Sequence, residues 1–115
     1  MRIASLKKIK DFDNLAKVIK RKKDKGSKVV LSHGVFDLLH PVHIKHFEAA
    51  KKMGDILVVT VTQDSYVNKG PGRPVFNDVL RAESLAALEC VDYVVINKWP
   101  TAVEAILHVK PDLYV

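Results

Sequence analysis

Two short, almost wholly apolar runs, separated by one helix-length segment, constrain the fold of this chain most. The first is Lys28–Ser32, and the second is Asp55–Thr62, which is rich in β-branched residues. Strands that cover only one face of a sheet alternate apolar and polar residues, whereas runs as apolar as these are typical of strands buried on both faces. The two runs therefore predict two strands of a parallel sheet.

Helix and strand signals alternate along the rest of the chain. Helices are predicted over Asp11–Lys20 with a stop near Gly26, over Pro41–Met53, from Asn77 or Asp78 to about Glu89, and over Thr101–Val109; further strands are predicted at Val91–Ile96 and Leu113–Val115. This order predicts right-handed βαβ units and an α/β fold, a Rossmann-like doubly wound parallel sheet with flanking helices. We expect a single domain over residues 1–115, with an N-terminal helix in residues 1–27 and a βαβ core in residues 28–115.

Composition limits the classes of partner. The net charge of +6 comes largely from Lys7–Lys28 and raises the question of a nucleic-acid partner. The aromatic residues are not interleaved with that basic run, so we predict a solvated helix face and no nucleic-acid partner. No segment approaches the roughly 20 apolar residues of a membrane span, which predicts a cytoplasmic protein without a membrane partner. The single cysteine, Cys90, is predicted to be a packing residue.

The segment Leu31–His43 leads from the first strand into a helix and predicts a phosphate site. Ligands of such sheets bind beyond the carboxyl ends of the strands, where Ser32, His33 and Gly34 lie. The helix that begins near Pro41 directs unpaired N–H groups at the same place, worth about 0.3–1 kcal/mol for an anion.

Two histidines of this segment are candidate ligands of the phosphate. His40 and His43 are three residues apart, so both project from one side of the first helical turn. A metal pair and two surface histidines are the alternatives. Phosphate contact is favoured over metal because no Cys or Glu stands at ligand spacing beside them, and no metal-ligating residue is predicted. His33 and His46 are weaker candidates, since a lone histidine beside an apolar run is often structural.

Other polar residues of the chain have two interpretations each. Asp37 either fixes the turn by accepting backbone hydrogen bonds or helps to hold Mg²⁺, and Phe36 beside it is interpreted as a core anchor. Lys69 and Arg73 lie in a Gly- and Pro-rich loop that either closes over phosphates or is simply solvated. Arg81 lies in the first turns of its helix, where a cation gains nothing from the dipole, so it either binds a ligand or is a plain surface residue.

The segment also carries a recognisable motif. Gly34, Phe36, Asp37, His40 and His43 match the pattern G-x-F-D-x-x-H-x-G-H, and the chain thereby resembles the cytidylyltransferase-like nucleotidylyltransferase superfamily. The similarity continues through Lys69–Val75, Leu80–Glu83 and Val91–Val94, which look like the adenylyltransferase domain that makes ADP-heptose for the lipopolysaccharide core. Glycerol-3-phosphate cytidylyltransferase is a more distant relative. The resemblance covers nearly everything from about Val29 onward.

The resemblance implies transfer of a nucleotidyl group from a nucleoside triphosphate, ATP favoured over CTP, to a sugar phosphate or polyol phosphate. It also implies Mg²⁺ bound with the triphosphate, release of pyrophosphate, and a homodimer. We predict His40, His43 and Lys69 as the catalytic residues, and Ser32, His33, Gly34, Val35, Phe36, Arg73 and Arg81 as nucleotide-binding residues.

The chain departs from the family pattern in two places. Val42 stands where the motif has glycine between the two histidines, so a β-branched side chain lies where the nucleotide would approach the backbone. The chain also ends at Val115, where relatives continue into a further triphosphate-binding segment, and we expect a domain truncated at its C-terminus. These departures keep a second hypothesis open, namely a non-catalytic nucleotide-binding or assembly module.

Overall fold

In the part of the chain that the structure describes, four strands form one fully parallel sheet. The computed structural model describes residues 3–67 and 70–115, with the side chains of residues 3 and 4 left out of the description. The strands are β1 (Val29–Gly34), β2 (Ile56–Thr62), β3 (Tyr93–Asn97) and β4 (Leu113–Tyr114), in the spatial order β3-β2-β1-β4. All pairs in the sheet are parallel, with Val29 opposite Ile56 in β1 and β2. The predicted Rossmann-like α/β fold is confirmed.

Within the described residues, five helices and one 3₁₀ turn flank the sheet. The helices are α1 (Ile3–Leu6), α2 (Phe12–Asp24), α3 (Pro41–Lys51), α4 (Asp78–Ala86) and α5 (Val103–Val109), and the 3₁₀ turn covers Asp64–Tyr66. The four longer helices fall where the sequence predicted helices, with ends that differ by a few residues. The helix α4 begins after an Asn77 cap, whose side chain accepts the Leu80 N–H at 2.9 Å. Such caps stabilise a helix by about 1 kcal/mol.

The apolar runs form strands because both of their faces are covered. All seven residues of β2 are buried, as expected for a central strand. Leu57 and Val59 face a core formed with α3 and α4, whereas Ile56 and Val58 face a second core formed with α2 and α5. The sheet is therefore the middle layer of a three-layer domain.

The basic run of the sequence forms the outer face of α2. Leu15 and Ile19 are buried against the sheet, while Lys17, Lys20 and Arg21 are exposed. The predicted solvated helix face is confirmed. No helix in the described parts of the chain combines the length and apolar character that crossing a bilayer requires.

Cys90 lies half-buried at the edge of the core formed with α3 and α4, and its thiol is free. Burial raises the pKa of this thiol above its usual value. A thiol with a raised pKa is a poor nucleophile, because the thiolate is the reactive form. The predicted packing role is confirmed.

The segment before α2 adds a feature that periodicity did not predict. Ile9 forms a single parallel bridge with Val94 of β3. The Lys10 N–H donates to the Val94 carbonyl at 2.9 Å, and the Val94 N–H donates to the Lys8 carbonyl at 2.9 Å. This short pairing covers the outer edge of β3, which would otherwise expose unpaired backbone groups.

Carboxylates bind backbone N–H groups where strands begin. Asp112 accepts from the Val29 N–H at 2.7 Å, and Asp92 accepts from the Leu57 N–H at 2.8 Å and from Lys51 Nζ at 2.6 Å.

The opposite edge of the sheet, where the strands end, holds the topological switch point, because β2 and β4 lie on different sides of β1. The chain that leaves β1 after Gly34 therefore emerges where such folds bind ligands.

Candidate functional site

The first turn of α3 is capped by two histidine side chains. Nδ1 of His40, the N-cap residue, accepts the Val42 N–H at 3.1 Å, and Nδ1 of His43 accepts the His40 N–H at 3.0 Å. A ring nitrogen that accepts a hydrogen bond carries no proton, so both neutral rings hold their proton on Nε2. The cap therefore fixes one tautomer for both rings, with Nε2–H as the remaining donor of each.

Phe36 anchors the turn between β1 and α3. Its backbone is left-handed, with φ of 51°, and its ring packs edge-on against Phe47 at 5.0 Å and His43 at 5.7 Å between centroids. A Cβ placed on Gly34 would lie 2.7 Å from Cζ of this ring, so the ring occupies the space that a side chain at Gly34 would need. The predicted anchor role of Phe36 is confirmed, and non-glycine residues with such backbone angles often occur at functional sites.

Asp37 ties this turn to the loop before α4. The side chain is buried, with Oδ1 accepting the Phe76 N–H at 3.0 Å and Oδ2 accepting the Val75 N–H at 2.9 Å. Arg73 forms an ion pair with it, Nε lying 3.0 Å from Oδ2. Burial raises the pKa of Asp37, but the hydrogen bonds from Phe76 and Val75 and the charges of Arg73 and Arg81 together lower it below its usual value. Of the two predicted roles, the structure shows the loop-fixing one.

Arg81 is enclosed at the centre of the same region, with its side chain fully buried. Its Nε donates to the Phe76 carbonyl at 3.0 Å, and Nη1 donates to the carbonyls of Val35 at 2.9 Å and Thr62 at 2.7 Å. Nη2 completes an ion pair with Asp64 at 2.6 Å. The plain surface interpretation of Arg81 is wrong, because its side chain is buried and is bonded to four residues, Val35, Thr62, Asp64 and Phe76. Its contact with a nucleotide stays a prediction.

His33 lies on the face of β1 that points towards α2 and α5. It is half-buried, with Nδ1 2.8 Å from Thr60 Oγ1 and Nε2 3.5 Å from Thr62 Oγ1. Thr62 also donates to the Gly34 carbonyl at 3.3 Å. Burial lowers the pKa of His33 by more than its hydrogen bond to the Thr60 backbone raises it. Burial therefore favours the neutral form of the ring.

The predicted site residues converge on the carboxyl edge of the sheet. Ser32, His33 and Gly34 end β1, Val35 and Phe36 form the turn, His40 and His43 begin α3, and Arg73 and Arg81 are joined to the turn through Asp37 and Val35. Lys69 lies outside the described residues. His46 is exposed, with Nε2 3.5 Å from Ser32 Oγ.

Sequence reasoning missed Thr60, Thr62 and Asp64 as members of this region. Their position in the chain could have identified them. Thr60 and Thr62 end the most apolar strand, and Asp64 follows that strand closely, at the edge where ligands of such sheets bind.

A family model described as cytidylyltransferase-like matches residues 31–115, from β1 to the end of the chain. This chain belongs to the cytidylyltransferase-like family. The matched region contains the turn, both capping histidines and the Asp37 and Arg81 contacts described above.

Individual members of the family are closely similar to the chain. The bifunctional protein HldE of Geobacter metallireducens is 44% identical over 110 residues, which is 94% of this chain and 22% of the relative. HldE of Sulfurimonas denitrificans is 45% identical over 93% of this chain and 23% of the relative. The chain thus spans less than a quarter of the length of these relatives.

One solved structure extends the comparison to three dimensions. The crystal structure of a lipopolysaccharide core biosynthesis protein from Thermoplasma volcanium GSS1 has a TM-score of 0.71 and 34% sequence identity, over 77% of this chain and 73% of the other.

Proposed function

We propose that this domain transfers a nucleotidyl group from a nucleoside triphosphate to a sugar phosphate, with release of pyrophosphate. The observation that carries the proposal is the doubly capped first turn of α3, which presents the Nε2–H donors of His40 and His43 at the switch point of the sheet. Uncharged donors and a helix N-terminus together suit phosphate oxygens.

The chemistry needs alignment and charge stabilisation more than proton transfer. An oxygen of the acceptor phosphate attacks the α-phosphorus, the bond between that phosphorus and the pyrophosphate oxygen breaks, and pyrophosphate leaves with the bonding electrons. The acceptor is a phosphate monoester whose second pKa is about 6, so its attacking oxygen is already anionic at neutral pH. His40 and His43 donate hydrogen bonds to the reacting phosphates, and the predicted role of Lys69 is to neutralise the triphosphate.

Similar proteins favour one class of acceptor and one class of donor. The solved neighbour is a lipopolysaccharide core biosynthesis protein, and the core of lipopolysaccharide is built from sugars, which favours a sugar phosphate acceptor over a polyol phosphate. The resemblance to the domain that makes ADP-heptose favours ATP over CTP. We also propose that the protein forms a homodimer.

We assign Mg²⁺ to the triphosphate rather than to a protein cage. Within residues 3–67 and 70–115, no cluster of three or more His, Cys, Asp or Glu side chains is placed to hold a metal ion. Asp37 is engaged by two N–H groups and Arg73, and Asp64 by Arg81. Mg²⁺ commonly keeps several waters and binds through substrate phosphates, which fits this donor set.

A pyrophosphate-release assay tests the proposal. The protein is incubated with Mg-ATP or Mg-CTP and a panel of sugar 1-phosphates and polyol phosphates, and each triphosphate without acceptor serves as the control. We expect release with ATP that depends on a sugar phosphate. Absence of release from every pair would reject nucleotidyl transfer.

Val42 favours a second candidate function, a nucleotide-binding module without catalysis. Its side chain is 64% exposed on the first turn of α3, beside the two capping histidines. A β-branched group there narrows the approach of a nucleotide to the backbone. Calorimetric titration of Val42→Gly with Mg-ATP separates the two candidates. A large rise in affinity supports obstruction, and unchanged affinity removes the reason for the second candidate.

A further inference from the structure

The backbone of Val75 and Phe76, in the loop before α4, is hydrogen-bonded by two side chains. Asp37 accepts both of their N–H groups, at 2.9 and 3.0 Å. Arg81 donates from Nε to the Phe76 carbonyl at 3.0 Å. Two side chains from different elements thus fix two consecutive residues of a loop, which is more restraint than a solvated loop requires.

The same two side chains belong to or hold the turn after β1. Asp37 is itself a residue of that turn, and Arg81 donates from Nη1 to the Val35 carbonyl at 2.9 Å. A second bond from Nη1 reaches the Thr62 carbonyl at the end of β2, at 2.7 Å. The guanidinium group is planar and rigid, so these bonds set the relative positions of the turn, the end of β2 and the loop.

Stability alone does not account for this arrangement. The Arg81 side chain is fully buried, and its charge is balanced by Asp64 and by the Coulombic attraction of Asp37. Desolvating such charges costs free energy that the ion pairs only partly recover, so well-packed apolar residues often stabilise a fold as well or better. A buried network whose bonds run to backbone carbonyls of three segments instead specifies geometry.

We propose that Asp37 and Arg81 are positioning residues for the nucleotidyl transfer described above. They set the distance between the first turn of α3 and the Arg73–Phe76 segment, the two walls between which the phosphates lie. The inference rests on the proposed function. Because a misplacement of about 1 Å can lower a rate by about 100-fold, loosening one wall should affect kcat more than nucleotide binding, which the first turn of α3 still supplies.

The matched variants Asp37→Asn and Asp92→Asn test this inference. Each wild-type carboxylate is hydrogen-bonded to backbone N–H and paired with a cation, Arg73 for Asp37 and Lys51 for Asp92. Only Asp37 lies at the carboxyl edge. We expect kcat of Asp37→Asn to fall about 10-fold or more with KM for the nucleotide changed less than about 3-fold, and kcat of Asp92→Asn to stay within about 2-fold.

A second variant covers the case in which Asp37→Asn does not fold, as judged by its thermal melt. The side chain of Asp64 is half-exposed, and Asp64→Ala removes the carboxylate that pairs with Arg81. The bonds from Arg81 to Val35, Thr62 and Phe76 stay in place. We expect about a 3-fold loss of kcat with an unchanged KM, because the guanidinium is held less firmly.

The failures of the inference and of the proposed function are distinguishable. A wild-type protein that releases no pyrophosphate rejects the proposed function, and positioning for catalysis with it, before any variant is made. An active wild type in which Asp37→Asn and Asp92→Asn lose kcat equally, or in which folded Asp37→Asn and Asp64→Ala both keep full kcat, rejects the inference alone.

Discussion

Gly34 is required by a neighbouring ring rather than by its own backbone angle. The backbone of Gly34 is not left-handed, but a Cβ there would lie 2.7 Å from Phe36 Cζ. We therefore predict that Gly34→Ala destabilises the protein by about 1–3 kcal/mol, the usual cost of overpacking, in a urea denaturation experiment.

A double-mutant cycle with Phe36→Leu tests whether the Phe36 ring causes the loss of stability in Gly34→Ala. The smaller side chain gives an alanine at position 34 more space, so Gly34→Ala should cost less in the Phe36→Leu background. Equal costs in the two backgrounds would mean that the ring is not the obstacle.

His33 is expected to make stability depend on pH. Burial lowers its pKa from the ordinary value of 6.5, so at pH values between the lowered pKa of the folded protein and 6.5 the unfolded chain binds more protons than the folded one. Stability should be fully present above about pH 7 and should fall as the pH drops through 6.5 towards the lower folded pKa. Denaturation of wild type and His33→Gln at a series of pH values from about 7.5 to 5.5 measures this. The difference between the two should vary with pH, and a constant difference contradicts the assignment.

At the scale of elements, the first turn of α3 combines a structural cap with chemical groups, and two substitutions separate these roles. Asn is among the best N-cap residues, and Gln at the third helical position completes a capping box. His40→Asn and His43→Gln should therefore keep wild-type stability within about 0.5 kcal/mol while replacing each imidazole donor with an amide N–H group in a different position. Pyrophosphate release should fall about 100-fold or more in each, since charge-stabilising groups contribute on that scale.

Alanine at the same positions provides the comparison. His40→Ala removes the cap as well as the donor, and thermal or urea unfolding should show a loss of about 1 kcal/mol relative to His40→Asn. If His40→Asn and His43→Gln retain full activity, the imidazole groups serve only the helix.

The sequence allowed prediction of elements whose signal is local. The apolar run of β2, Pro41 at the start of α3 and Asn77 as the cap of α4 each fix a feature within a few residues. The bridge between Ile9 and Val94 was missed, because it joins residues 85 positions apart through one pair and leaves no periodic pattern.

The burial of Arg81 was missed for a related reason. The carbonyls that bind it belong to Val35, Thr62 and Phe76, and a backbone carbonyl carries no sequence signature. From the sequence alone, an arginine near the edge that is predicted to bind a ligand therefore looks like a ligand-binding residue. By contrast, the loop-fixing role of Asp37 was among the predicted alternatives, because a carboxylate in a turn commonly accepts backbone N–H groups.

At the scale of the whole molecule, the carboxyl edge carries an exposed apolar surface next to the turn between β1 and α3. This surface consists of Leu38, Val75, Phe76, Val79 and Leu80, whose side chains are 45–52% exposed. The backbone of Val75 and Phe76 is fixed by Asp37, so these side chains are held in water rather than free to fold inwards. Burying apolar area is favourable by about 25 cal/mol per Å², and a second copy of the chain is the occupant that the predicted homodimer supplies.

Val79→Glu tests whether this surface forms the dimer. The residue is 52% exposed in the first turn of α4, where a carboxylate suits the helix dipole, so the fold should persist. Two copies that meet through this surface would bury the new charge, and sedimentation velocity should show a dimer for wild type and a monomer for Val79→Glu. Leu107→Glu, 62% exposed on α5 at the other face of the sheet, should remain dimeric. A wild type that sediments as a monomer at every concentration would contradict the homodimer, and a Val79→Glu dimer would place the interface elsewhere.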